Sequence, residues 1–126
     1  MSHFATITTQ IKDIPALASA CGELGLSVVA NATARGYASN TVRGEHVIRL
    51  KGPYDIAVNR QPDGTFGLTT DWWDGHVAKE VGANYGRLLQ LYAVHKASAE
   101  ARKRGHSVQR KAGANGAIKL VIGGAW

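Results

Sequence analysis

Short alternating runs rich in β-branched residues, one long stretch of helical periodicity, and turn signals between them predict an α+β fold. We expect a single domain over residues 1–126. It should be mainly an antiparallel sheet of about six to seven strands, with one short and one long helix, in the order β-α-β-β-β-β-α-β-β. The length agrees, since 126 residues suit one domain and are too few for two independent cores. Apolar residues make up 44% and charged residues 19%, near globular averages, which excludes wholesale disorder.

Phe4–Ile11 is rich in β-branched residues and reads as the opening strand. Asp13 is a good helix N-cap, and Pro15 suits a first turn. Ile14, Leu17, Cys21 and Leu24 recur at helical spacing before the stop at Gly25, predicting a short helix over about 14–24. Cys21 lies on the apolar stripe, so it is read as a small core residue and not as a nucleophile. Ser27–Ala30 is the second strand. Residues 31–44, with Asn31, Gly36, Asn40 and Gly44, read as a loop or weakly paired strand. Within it, Arg35-Gly36-Tyr37 could contact a phosphate and stack a base, but a tyrosine closing the core beside a turn is the favoured reading.

Three strand-like runs follow. His46–Lys51 should point Ile48 and Leu50 inward and Arg49 and Lys51 outward. Tyr54, Ile56 and Val58 share one face of the next run. The turn Pro62-Asp63-Gly64 leads into Thr65–Thr70. These runs predict a meander with one dry and one wet face. After Asp71-Trp72-Trp73-Asp74 the period changes. Asp74 can cap a helix, and Val81, Tyr85, Leu88, Tyr92 and Ala99 form an apolar stripe. Gly82 and Gly86 each disfavour helix by ~1 kcal/mol relative to Ala. A break or a one-turn prelude near 82–84 is therefore expected, with the main helix over about 84–104. The final hairpin pairs 106–110 with 117–122.

The charge is segregated. The formal net charge is +6 and the isoelectric point about 9.8. Residues 1–95 balance eight Lys/Arg against eight Asp/Glu, so the whole excess lies in 96–126. Lys96, Arg102, Lys103, Arg104, Arg110 and Lys111 are the candidate polyanion-binding residues. The competing reading is a solvated basic helix end, favoured by the macrodipole by ~0.3–1 kcal/mol per cation.

Few constellations suggest chemistry. The one cysteine excludes an internal disulfide framework and a thiolate-rich zinc site. His3, His46, His76, His95 and His106 are scattered without metal-ligand spacing. Asp71, Asp74 and His76 lie within six residues and form the candidate set for a metal-dependent enzyme. The simpler account makes Asp74 a helix cap and the tryptophans the closure of one core end. Trp72 and Trp73 would face opposite sides of a strand, leaving at most one free to stack on a ligand. Gly113–Lys119 lacks the P-loop ending, and no serine sits in a nucleophile elbow. No catalytic residue, metal or cofactor is therefore assigned. No run reaches the ~18–20 apolar residues of a membrane span, and the start lacks a signal-peptide pattern. A cytoplasmic or plastid-stromal location, away from membranes, is expected.

Several motifs in order resemble a known family. They are Met1-Ser2-His3-Phe4 with Thr6-Ile7, Gly36-Tyr37, Tyr54-Asp55-Ile56, Asp71-Trp72-Trp73, Tyr92 and Ile118-Lys119-Leu120. The family was first named as a hypothetical chloroplast open reading frame, number thirty-five. It also occurs in cyanobacteria and other bacteria as a domain of unknown function. The resemblance covers nearly the whole chain, with departures in the Ala/Gly-rich character and at 31–44. It implies a small soluble protein without established enzymatic activity, often encoded near AAA-type ATPases. His3, Tyr37, Asp55, Trp73 and Lys119 match its motif positions. The leading expectation is a non-catalytic interaction module, an adaptor or homo-oligomer serving an AAA-type ATPase. The alternatives are a nucleic-acid or other polyanion binder, and the metal-dependent enzyme at Asp71, Asp74 and His76.

Overall fold

The computed structural model describes residues 3–124, so the Met1-Ser2 part of the opening motif lies outside the described residues. The elements are β1 (Phe4–Thr8), α1 (Ile14–Glu23), β2 (Ser27–Arg35), β3 (Thr41–Arg49), β4 (Ile56–Arg60), β5 (Phe66–Asp71), α2 (Ala78–Val81), α3 (Gly86–Lys103), β6 (Ser107–Ala112) and β7 (Ile118–Gly123). The strands form a five-stranded antiparallel sheet, order β1-β5-β4-β3-β2, and a separate antiparallel ribbon, β6-β7. This is the α+β class and element order expected, with the one-turn α2 added.

Helix α1 forms as its sequence dictates. The Asp13 carboxylate accepts the Ala16 amide at 3.0 Å, Pro15 occupies the first turn, and Gly25 at φ 76° turns the chain out. Its stripe of Ala16, Leu17, Ala20 and Cys21 is buried. The long helix is interrupted where its glycines fall. Gly82 sits at φ 87°, ψ 160°, and a Cβ there would lie 2.8 Å from the Arg87 amide nitrogen. Asn84 and Tyr85 follow in the left-handed region, and α3 starts at Gly86. Asp74 does not cap this helix. It lies at φ 56° in a 3₁₀ turn, its side chain bonds no helical amide, and α3 begins a dozen residues later.

The sheet register explains the core. Ile7, Leu68, Val58, His46 and Ala30 form one row across all five strands. Leu68 and Val58 belong to the main core, which α1 and α3 cover with Leu17, Leu88 and Leu91. The next row is Thr6, Thr69, Ala57, Val47 and Val29, on the opposite face.

That opposite face is where the structure departs from the sequence expectation. The expected wet face is covered: Val47 and Ala57 are fully buried with Ala34 in a second, small cluster. Residues 31–44, expected as a loop or weakly paired strand, take the strand alternative: they are the outer half of a long β2–β3 hairpin, paired as far as Arg35 with Thr41 and joined by a turn at 36–40. The hairpin bends at Asn31, which has φ 50°, and at Gly44, where an added Cβ would collide with the His46 carbonyl. Beyond the bend this arm folds back across the sheet. The Arg49 guanidinium donates to the Thr33 carbonyl at 2.7 Å, and the Asp55 amide donates to the Arg35 carbonyl at 3.0 Å. The arm's tip reaches β1 on the far edge, where a Cβ on Gly36 would lie 2.5 Å from the Phe4 ring.

Candidate functional site

The tip of the arm, the 50–55 loop and the segment after β5 meet at one end of the sheet. Asp55 anchors them. Its carboxylate is fully buried and accepts from the Arg35 amide (3.0 Å), Arg35 Nε (2.8 Å) and Nη2 (2.8 Å), Arg49 Nη1 (2.9 Å) and the Leu50 amide (3.3 Å). Burial alone would raise its pKa. The Arg35 side chain, then the Arg35 and Leu50 amides, overcome this and hold it below the usual carboxylate range. The apolar seal under the arm is small, with Ala contributing a single methyl at ~0.8 kcal/mol per buried carbon. Charged hydrogen bonds contribute ~1.5–3 kcal/mol each, so this network outweighs the apolar contact in holding the arm.

Two more carboxylates set loops. Glu80 on α2 accepts the amides of Lys51 (2.8 Å) and Gly52 (3.0 Å), fixing the loop whose Gly52 carbonyl receives Arg35 Nη2. Asp71, at the end of β5, accepts the amides of Tyr37 and Trp73 at 3.0 Å each. The effect is to hold two aromatic rings together: Tyr37 and Trp73 meet edge to face with centroids 5.6 Å apart. Both stay exposed, at 39% and 42%. Tyr37 therefore does not close the core, and Trp73 does not close its end. Trp72 does so instead, packed against buried Tyr85 at 4.8 Å. Beside the pair lies an open cleft of about 540 Å³, lined by Arg35, Gly36, Tyr37, Thr41, Pro53 and Tyr54. Tyr54 stacks edge to face on His76 at 5.1 Å. Its phenol pKa is raised by burial first, and then by the charges of Asp71, Tyr37 and Asp74.

Asp71, Asp74 and His76 are not brought to one point. Asp71 faces inward to the two amides, whereas Asp74 is 73% exposed and its Oδ2 lies 3.8 Å from His76 Nε2. Among the described residues no group of three or more His, Cys, Asp or Glu is placed to hold a metal ion. Cys21 is fully buried, and burial pushes its thiol up to about 12, far from a reactive thiolate. Arg35 is bonded to Asp55 through Nε and Nη2, while its half-exposed side chain lines the same cleft as Tyr37.

The motif positions divide. Tyr37, Asp55 and Trp73 belong to this site, and exposed His3 adjoins Phe4, which pairs with Asp71. Lys119 lies apart, exposed on the β6–β7 ribbon. Two of the basic candidates are tied to the body of the fold. Lys96 pairs with Asp13 (3.2 Å) and Glu100 (3.4 Å). Arg110 grips Glu23 through two bonds of 2.6 and 2.9 Å, with His95 Nε2 on the same carboxylate at 2.8 Å. Lys103 stands 4.0 Å from Glu100. Arg102, Arg104 and Lys111 are exposed and make no ion pair among the described residues. Glu80 and Glu23, which seat the loop and the ribbon, gave no sequence signal, because their partners are distant backbone or distant side chains. Asp55 was singled out in the sequence only as a motif position of the resemblance.

Residues 20–121 match the family described as "Protein of unknown function (DUF1257)". The chain belongs to this family. The match spans every element except β1, the start of α1 and the end of β7, so it includes the arm, the Asp55 network and the Tyr37–Trp73 pair. Comparison with curated proteins and with solved structures gives no match. No helix among the described residues is long and apolar enough to cross a membrane.

Proposed function

We propose that this protein is a non-catalytic protein-interaction module whose contact point is the Tyr37–Trp73 pair. The observation that carries this reading is the effort spent on keeping two large rings at the surface: a buried carboxylate fixes both backbones, and an ion network pins the arm that delivers Tyr37. Rigid Trp and Tyr side chains give large contact area at small entropic loss and dominate protein interfaces. The pair borders β1, an edge strand whose sequence Phe-Ala-Thr-Ile-Thr carries no charge to repel a pairing strand. A partner's extended segment can therefore add to β1 while a side chain rests on the rings. The finer resemblance to reading frame thirty-five, with its ATPase neighbourhood, supports an AAA-type ATPase as that partner. A second copy of the chain is the other protein occupant.

Trp73→Ala should leave the fold intact, since the ring is half exposed. Nuclease-treated affinity purification from source cells and light scattering of the pure protein are the measurements. The expected result is a stoichiometric ATPase partner, or a concentration-dependent dimer, that Trp73→Ala loses. Identical captured proteins and identical mass for wild type and variant would overturn the reading.

A further inference from the structure

The β6–β7 ribbon stands outside the main sheet and has two unlike faces. Arg110, Ile118 and Ile122 lie on the body side: Arg110 grips Glu23 on α1, Ile118 packs on the main core, and Ile122, still 47% exposed, borders an open cleft with Ala97 and Ala101 of α3. Alternation then sends Gln109, Lys111, Lys119 and Val121 to the other side, and all four are exposed. The register puts Lys111 directly opposite Lys119. Like charges in that relation destabilise a strand pair, and a two-stranded ribbon has little stability to spare. No acid is paired with either lysine among the described residues, and no acid occurs after Glu100. Arg104 lines a cleft with Glu100 and Ile122, and Arg102 lines another with Asp13 and His95, so these exposed arginines lie off the outward face. These charges are what remain after Lys96 and Arg110 have been neutralised internally.

We infer that the outward face of β6–β7, which carries Lys111 and Lys119, is a binding surface for the phosphates of duplex DNA. Charge complementarity selects an anion, and the arrangement selects the class. A two-stranded ribbon fits the ~12 Å major groove of B-DNA, where lysines on both strands can reach the phosphates of either wall. A membrane surface fits less well, because the tip, Ala112-Gly113-Ala114-Asn115-Gly116-Ala117, has no large apolar side chain to insert into lipid. This surface is separate from the Tyr37–Trp73 pair, and neither requires the other.

Fluorescence anisotropy of a labelled 20-bp duplex, measured from 50 to 200 mM salt, tests it. Two phosphate contacts predict a loss of roughly tenfold in affinity over that range. Lys111→Gln with Lys119→Gln should weaken binding and flatten the logarithmic salt slope by roughly 1.5–2, while the arginine versions of both restore it. Lys79→Gln, on the electrically balanced part of the chain, should change nothing, and Trp73→Ala should retain full DNA affinity. Circular dichroism checks that each variant is folded. The inference fails if the duplex does not bind at 50 mM salt. It also fails if Lys79→Gln weakens binding as much as the ribbon variants, or if single-stranded DNA, single-stranded RNA or phosphatidylserine vesicles bind more tightly than the duplex.

Discussion

Asp55 shows how one residue type in one place organises a site. A carboxylate at the start of an apolar strand must either be neutralised or find donors, and here two arginines and two backbone amides supply them. Replacing it with Asn keeps the shape but removes the charge that both guanidinium groups need. Both arginines are partly exposed and can turn to water, so the expected loss is about 2–3 kcal/mol, below the ~3–5 of a fully buried pair. Urea denaturation of Asp55→Asn measures this, and an unchanged midpoint would refute the anchoring role. Asp55 was legible in the sequence only as a motif position of the family resemblance. Its partners were not, because Arg35 and Arg49 are chosen by how the hairpin bends and not by any local spacing.

Elements differ in what holds them. Helix α1 carries its own instructions in Asp13, Pro15 and Gly25, and it forms where those residues predict. The β6–β7 ribbon instead depends on a polar clasp to α1. Arg110 foremost, against the opposing effect of burial and with help from His95, lowers the Glu23 pKa from 4.5 to about 2. A folded-state value below the ordinary one means that the clasp stabilises fully above about 4.5 and is lost as the pH falls toward 2. Glu23 is partly exposed, so its contribution is that of a screened surface pair. Protection factors in Ser107–Ala112, corrected for the intrinsic slowing of exchange toward low pH, should therefore fall as the pH drops through that window. Glu23→Gln should exchange fast throughout and lose the pH dependence. Persistence of wild-type protection in Glu23→Gln would show that apolar packing alone seats the ribbon. The arm at 31–44 gives the opposite lesson. Its glycines and asparagines left a loop and a weakly paired strand open, and Asn31 and Gly44 prove to be the bend of a paired hairpin whose outer half lies on the sheet.

At the scale of the molecule, a sheet buried on both faces in β4 and β5 carries a ribbon that is exposed over much of its surface. Stability should follow that contrast. Native-state hydrogen exchange is expected to open β6–β7 first, by sub-global unfolding, and β3, β4 and β5 only with global unfolding. Equal protection across both sheets would mean that the ribbon folds as one unit with the core. The same contrast separates two contact surfaces. The aromatic pair is tied by Asp71 and the Asp55 network to the buried sheet, whereas the free lysines ride on the exposed ribbon. An aromatic contact needs fixed rings, while phosphate contacts tolerate a mobile cationic ribbon.

The sequence by itself determined the fold class, the order of strands and helices, the cap of α1, the glycine break before α3 and the placement of all surplus positive charge in the last quarter. Those features are local or additive: periodicity, caps and charge counts need no knowledge of what lies opposite. Only the tertiary structure decided that the outer hairpin turns back over the sheet, that Tyr37 meets Trp73 at the surface, and that Lys111 faces Lys119. Each depends on the register and bend of strands far apart in sequence, and a shift of one residue would send every one of those side chains to the other face.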